Sequence, residues 1–257
     1  MRFLGQLSAA VAWLAATTTA APTLSVAAAA DLQAALPAIA ARFEQDTGGK
    51  VALTFGSSGN FFTQIQNGAP FDVLLSADVD YPRRLEHTGQ AEPGSLYRYA
   101  TGRIVLWTRN DSGIDVRKGL AALAHPQVRR IAIANPDHAP YGRAAVAALR
   151  HEHLYEQVEH KLVRGENISQ TAQFVESGNA DAGIVALSLA LAPAMKSAGT
   201  FVEIPESFYP ALDQAAVVVA ASKQKATAHE FVRFLAAAES VRILETFGFA
   251  RPRAARD

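Results

Sequence analysis

An α/β fold with mostly parallel sheets is predicted for this sequence by three observations. Short β-type runs alternate with stretches of helical spacing from one end of the chain to the other. One run, Phe71-Asp-Val-Leu-Leu-Ser-Ala77, is almost continuously apolar, as parallel strands covered on both faces are. And at several points a β run gives way to small or polar residues and then to a helix, the junction of a strand-to-helix crossover.

Leu24-Ser-Val-Ala-Ala-Ala-Ala30 is the first candidate strand, and Leu32, Leu36, Ile39, Ala40 and Phe43 then recur at helical spacing. Val51, Leu53 and Phe55 alternate as a second strand, with Gly56-Ser-Ser-Gly59 after it and a short helix from Asn60 to near Gly68. Phe71 to Ala77 is the third strand. Beyond residue 100 the theme repeats: Arg103–Thr108, Arg130–Ala134, Lys161–Val163, Gly183–Leu187 and Ala215–Val219 read as strands. The remainder is helical, with Phe231, Phe234 and Leu235 on one face and Val241, Ile243 and Leu244 in the next segment. Pro37 removes an internal hydrogen bond from any helix begun at Asp31, so a kink or a start nearer Pro37 is expected.

The N-terminus reads as an export leader. Arg2 is followed by an uncharged apolar stretch to Ala16 and by small residues from Thr17 to Ala21, so residues 1–21 are expected to be removed. That stretch falls short of the roughly 20 apolar residues of a membrane span. The 257 residues carry 24 basic and 24 acidic groups, and this balance argues against nucleic acid and membrane surfaces as partners. The absence of cysteine excludes a disulfide framework and thiolate metal sites. The length allows two lobes or one large domain.

Three junctions share one design: Ala28-Ala-Ala-Asp31, Gly56-Ser-Ser-Gly-Asn60 and Asn135-Pro-Asp-His-Ala-Pro-Tyr-Gly142. Gly165-Glu-Asn-Ile168 is a fourth, with fewer small residues. Helix N-termini present unpaired N–H groups and partial positive charge, so they bind anions without Lys or Arg, and in α/β sheets they gather at the carboxyl ends of strands. Taken singly, Ser, Asn or Asp at such a place is an ordinary cap; several in one chain point to an anion site. His153, Glu156 and His160 fall at the spacing of one helix face, which suits a metal or, more simply, a solvated surface. Arg143 is expected at the surface, and Trp107 in lobe packing. A hydrolase built on Ser57 or Ser58 with Asp137 and His138 is disfavoured, because Gly-Ser-Ser-Gly lacks the spacing of a nucleophile elbow.

Val26-Ala-Ala-Ala-Ala-Asp-Leu32, Phe55-Gly-Ser-Ser-Gly-Asn60, Asn67-Gly-Ala-Pro70 and Asp72-Val-Leu-Leu-Ser-Ala-Asp78 resemble the N-terminal half of periplasmic molybdate-binding proteins. Leu106-Trp107, Ile131-Ala-Ile-Ala-Asn-Pro136, Ala139-Pro-Tyr-Gly142, Ala182-Gly-Ile-Val-Ala-Leu187 and Gly248-Phe249 resemble the second half. The resemblance implies a two-lobed type II periplasmic binding protein fold, each lobe a mostly parallel sheet flanked by helices, with the ligand in the cleft between them. The lobes are set at residues 22–99 and 216–257 for the first and 100–215 for the second, with a hinge near 99–102 and 213–216. It further implies a monomer free in the periplasm, without cofactor or enzymatic activity, that captures molybdate or tungstate and hands it to the permease and ATPase of an ABC transporter. Phosphate, arsenate or sulfate is the alternative ligand.

By position, the oxyanion contacts implied are Asp31, Ser58, Tyr141 and Ile168, with no catalytic residue and no direct ligand to a metal cation. Some relatives place a tyrosine where this chain has Ala186. Asp31 departs from the family, which has Ser, Thr or Asn there; an ionised carboxylate only accepts hydrogen bonds and repels a dianion. The expectation is that Asp31 turns away to cap its own helix. Two other accounts stand beside it: Asp31 accepts a proton carried by the oxyanion, or the ligand is not an anion.

Overall fold

The structure is a computed structural model that describes residues 23–252; the leader expected at 1–21 lies outside the described residues. The chain first lays down β1 (Thr23–Ala29), a 3-10 turn at Ala30–Ala34, α1 (Leu36–Thr47), β2 (Lys50–Gly56), α2 (Ser58–Gln66), β3 (Val73–Ser76), α3 (Asp80–His87) and β4 (Tyr97–Gly102). It then builds β5 (Ile104–Arg109), β6 (Ile131–Ala134), α4 (Pro140–His151), α5 (Tyr155–Val158), β7 (Leu162–Gly165), α6 (Ile168–Glu176), β8 (Ala182–Ala186), α7 (Leu187–Ala190), α8 (Pro193–Ala198) and β9 (Gly199–Glu203). It returns through β10 (Leu212–Val218), α9 (Lys225–Phe234) and α10 (Ala238–Thr246).

Two five-stranded sheets result, ordered β2-β1-β3-β10-β4 and β7-β6-β8-β5-β9. Each is the core of one lobe. In both, three parallel strands are joined to antiparallel ones: β10 runs against β3 and β4, and β5 against β8 and β9. The chain passes between the sheets at Arg103 and again between Glu203 and Leu212. Residues 100–102 and 212–215, expected in the second lobe, therefore belong to strands of the first sheet. The boundary differs because β4, Tyr97-Arg-Tyr-Ala-Thr-Gly102, has no continuous apolar run to mark it.

In the first lobe, period-2 alternation divides the side chains between two helical layers. Leu24, Val26 and Ala28 of β1 pack with Val73, Leu75 and Val218 against α1, α9 and α10. The intervening Ala27, with Leu74 and Val217, meets Phe61, Phe62, Tyr81 and Leu85 of α2 and α3. Phe43 sets its ring edge-on against Phe231, centroids 5.1 Å apart, joining α1 to the return helix α9. The second sheet is buried likewise, with Trp107 wholly enclosed in its core.

Two local conflicts in the sequence resolve simply. The 3-10 turn stops at Ala34 and α1 begins afresh at Leu36, so Pro37 lies in its first turn, where no N–H is required. Helix α4 ends in a break: it stops at His151, and His153 takes a left-handed φ of 57°. His153 lies in the turn after α4, Glu156 in α5 and His160 in the 3-10 turn Glu159–Lys161, so the three do not form one helix face.

Candidate functional site

All four junctions singled out in the sequence stand at carboxyl ends of strands. The 3-10 turn follows β1, α2 follows β2, α4 follows β6 and α6 follows β7. The first two belong to one lobe and the last two to the other, and they are stitched across the cleft in pairs. The Ser169 hydroxyl donates to Gln33 Oε1 at 2.5 Å, Asn60 Nδ2 donates to Glu166 Oε1 at 2.5 Å, and the Gly59 N–H donates to the His138 carbonyl at 2.9 Å. The fourth link is Tyr141, whose hydroxyl donates to Asp31 Oδ2 at 3.0 Å.

These junctions hold each candidate residue differently. Ser58 opens α2 behind the extended Ser57, so its N–H has no intrahelical acceptor. Its hydroxyl oxygen accepts the Ala77 N–H at 2.9 Å, which leaves the hydroxyl proton free to be donated. Ile168 opens α6 behind Asn167, whose Oδ1 caps the N–H groups of Ser169 and Gln170; the cap thereby passes over the Ile168 N–H, the one donor that residue owns. Tyr141 lies in the first turn of α4 and is 2 % exposed. Ser58 and Ile168 supply neutral donors, each worth about 1.5–3 kcal/mol to a charged acceptor, while the one hydroxyl proton of Tyr141 is given to Asp31.

Asp31 does not cap its helix. No side chain caps the 3-10 turn, and the carboxylate is wholly buried. Its Oδ2 accepts from Tyr141 and from Gln214 Nε2, the latter at 2.5 Å, while Gln214 Nε2 also stands 3.2 Å from the Tyr141 hydroxyl. Gln214 is itself fixed: Tyr99 donates to its Oε1 at 2.7 Å, turning the amide nitrogen toward Asp31. The Ser188 hydroxyl holds the Asp31 carbonyl at 2.7 Å. Tertiary partners from β10 and α4 take the side chain in place of the N–H groups of its own short turn.

Burial pushes the Asp31 carboxyl up from 3.8 to about 6, against the opposing pull of Gln214, Tyr141 and the nearby backbone N–H groups of Asp31 and Leu32. Burial, reinforced by the Asp31 charge, likewise drives the Tyr141 and Tyr99 phenols well above their usual range, so both remain donors. Gly102 makes room for this cluster, since a Cβ there would stand 2.2 Å from the Tyr141 hydroxyl and 2.8 Å from Gln214 Nε2.

Arg143 is exposed at the surface, as expected, and also reaches across the cleft. Its Nη2 reaches Asp78 Oδ2 at 2.5 Å and its Nη1 the Tyr81 hydroxyl at 3.3 Å. Ser57 and His138 do meet, Oγ to Nδ1 at 2.7 Å, but the hydroxyl also donates to the His138 carbonyl at 2.9 Å. Both contacts cross the cleft, so the pair clasps the two lobes together. Gln214, Tyr99 and Ser188 escaped the sequence reading; the available signal was a lone Gln at the head of the apolar run Ala215–Val219.

The family model described as bacterial extracellular solute-binding protein matches residues 24–250. The chain is 38% identical over 226 residues to the molybdate-binding protein ModA of Azotobacter vinelandii, covering 88% of this chain and 89% of that protein. It is 37% identical to the molybdate-binding protein ModA of Rhodobacter capsulatus over 82% of this chain and 81% of the relative. Its fold matches the solved periplasmic molybdate-binding protein of Azotobacter vinelandii with a TM-score of 0.84 at 34% identity, covering 90% of this chain and all of that one.

Proposed function

Since this chain belongs to the bacterial extracellular solute-binding proteins, we propose that it captures molybdate or tungstate in the periplasm and delivers it to the permease and ATPase of an ABC importer, acting as a monomer without enzymatic activity. The single observation that carries the reading is the meeting of four strand-end junctions across one cleft, two from each lobe. Asp31, Ser58, Tyr141 and Ile168 are the proposed contacts. A dianion held there meets hydroxyl and N–H donors from both lobes at once, so binding and closure become one event. Neutral donors suit this task because nothing has to be deprotonated or desolvated as a cation when the anion leaves for the transporter.

A thermal-shift series on the purified protein tests the ligand. Molybdate and tungstate at 100 times their dissociation constant stabilise by about 2.7 kcal/mol. Sulfate, smaller in the same ring of donors, leaves some of them unpaired and shifts the midpoint much less. Equal shifts with sulfate, or none with any oxyanion, refute the reading. Within it, Tyr141→Phe keeps the ring in the core and removes the hydroxyl that holds Asp31 across the cleft, so molybdate affinity measured by calorimetry is expected to fall at least about tenfold. An unchanged affinity in the phenylalanine variant would remove Tyr141 from the contact set.

A further inference from the structure

Asp31 combines three properties that a carboxylate in an anion site is not expected to combine. It is wholly buried, its Oδ2 is saturated by Tyr141 and Gln214, and its Oδ1 is buried with no hydrogen-bond partner. Neither neighbour is free to turn and serve Oδ1. Tyr99 fixes the Gln214 amide through Oε1, and Tyr141 is anchored in the first turn of α4. Both carboxylate oxygens are acceptors and so is every oxygen of an oxyanion; only a proton between them joins the two.

From this we infer that oxyanion capture is coupled to a proton: one proton taken from solvent is shared between Asp31 Oδ1 and an oxygen of the bound anion. The inference rests on the proposed ligand class and sharpens it to tetrahedral oxyanions able to accept a proton. Charge and atoms balance simply, as carboxylate, dianion and one proton enter and nothing is oxidised or displaced. The backbone N–H groups of Asp31 and Leu32 lie close without meeting Oδ1 in a hydrogen bond, and the other groups facing Asp31 offer no substitute for that proton. Tyr141 on α4 and Tyr99 on β4 are its titratable neighbours, Gln214 on β10 and Ser188 on α7 are neutral, Asp78 lies beyond Tyr99, and Tyr209 lies beyond Tyr141. Among the described residues no Lys, Arg or His is a hydrogen-bond or ion-pair partner of Asp31; Arg143 is engaged by Asp78 and Tyr81. A carboxyl already raised to about 6 by burial takes up a proton readily near neutrality.

Titration calorimetry with sodium molybdate, in buffers of differing ionisation enthalpy and over a range of pH, counts the protons. The wild-type protein is expected to take up one proton per anion above about pH 7, with the dissociation constant weakening about tenfold per pH unit there. Asp31→Asn places an amide donor at the same position, so it is expected to bind molybdate with no proton uptake and a flat profile; Asp31→Ser provides the same comparison with a smaller donor. Wild-type binding without proton uptake overturns the inference and leaves the molybdate reading intact, as does a slope that survives in both variants. A protein indifferent to molybdate and tungstate that takes up phosphate together with one proton does the reverse, supporting the role of Asp31 and overturning the ligand reading.

Discussion

Replacing Gly59 by alanine is expected to weaken molybdate binding by about 10- to 100-fold while leaving the ligand-free protein as stable as the wild type. A Cβ at this position stands 2.6 Å from the His138 carbonyl oxygen and 2.8 Å from His138 Cβ, both in the opposite lobe, and 2.6 Å from the Tyr81 hydroxyl in its own. Tyr81 is the end of a long side chain and can swing aside. The His138 carbonyl is backbone, held in the loop that leads into α4, and the added methyl acts as a wedge in the cleft. Overpacking of this kind costs about 1–3 kcal/mol, and the whole of it falls on the closed conformer because the clash does not exist when the lobes part. Within its own helix the substitution is favourable, since alanine is a better helix former than glycine. Calorimetry gives the affinity and chemical denaturation the stability; an alanine variant that binds as tightly as the wild type would show that the lobes do not meet at Gly59 in the bound state.

Acidification should favour the closed conformer. The Asp31 carboxyl is raised from 3.8 to about 6 where it is buried, so the buried state binds protons more tightly than a state in which the group meets water. Below about pH 4 both states are protonated and the group is neutral in its effect. Between about 4 and 6 the buried state becomes progressively disfavoured as the pH rises, and above 6 the full penalty, about 3 kcal/mol, persists. Small-angle scattering on the ligand-free protein is expected to show a more compact particle at about pH 5 than at about pH 7.5, and Asp31→Asn to be equally compact at both. Compaction that depends on pH in the Asn variant as much as in the wild type would assign the effect to another group.

The junctions that carry the site were legible because they are local. Gly56-Ser-Ser-Gly59 and Asn167-Ile168 declare a strand end and a helix start within a few residues, and the structure places both there. The behaviour of Asp31 was not legible, because its partners Tyr141 and Gln214 stand 110 and 183 residues away in sequence. Local statistics favour Asp as a cap, and only tertiary structure brings better donors to it. Strands β4 and β9 were missed for a different reason. Both are sheet edges, and in Tyr97-Arg-Tyr-Ala-Thr-Gly102 and Gly199-Thr-Phe-Val-Glu203 polar residues interrupt the apolar pattern on which strand recognition depends. The antiparallel direction of β5 and β10 leaves no mark on composition at all, since a buried strand reads the same way whichever way it runs.

The position of β10 has a consequence for how the protein is made. This strand lies between β3 and β4, so the first sheet remains split until residues 212–218 arrive to join its two parts. The sheet of the second lobe, by contrast, is drawn from the uninterrupted stretch 104–203. During synthesis the later-encoded lobe can therefore close first, while the earlier one waits on a pairing of long sequence separation, which is slow to form. A nascent chain with this topology exposes its N-terminal strands longest and acquires its cleft only after almost all of the polypeptide has been made.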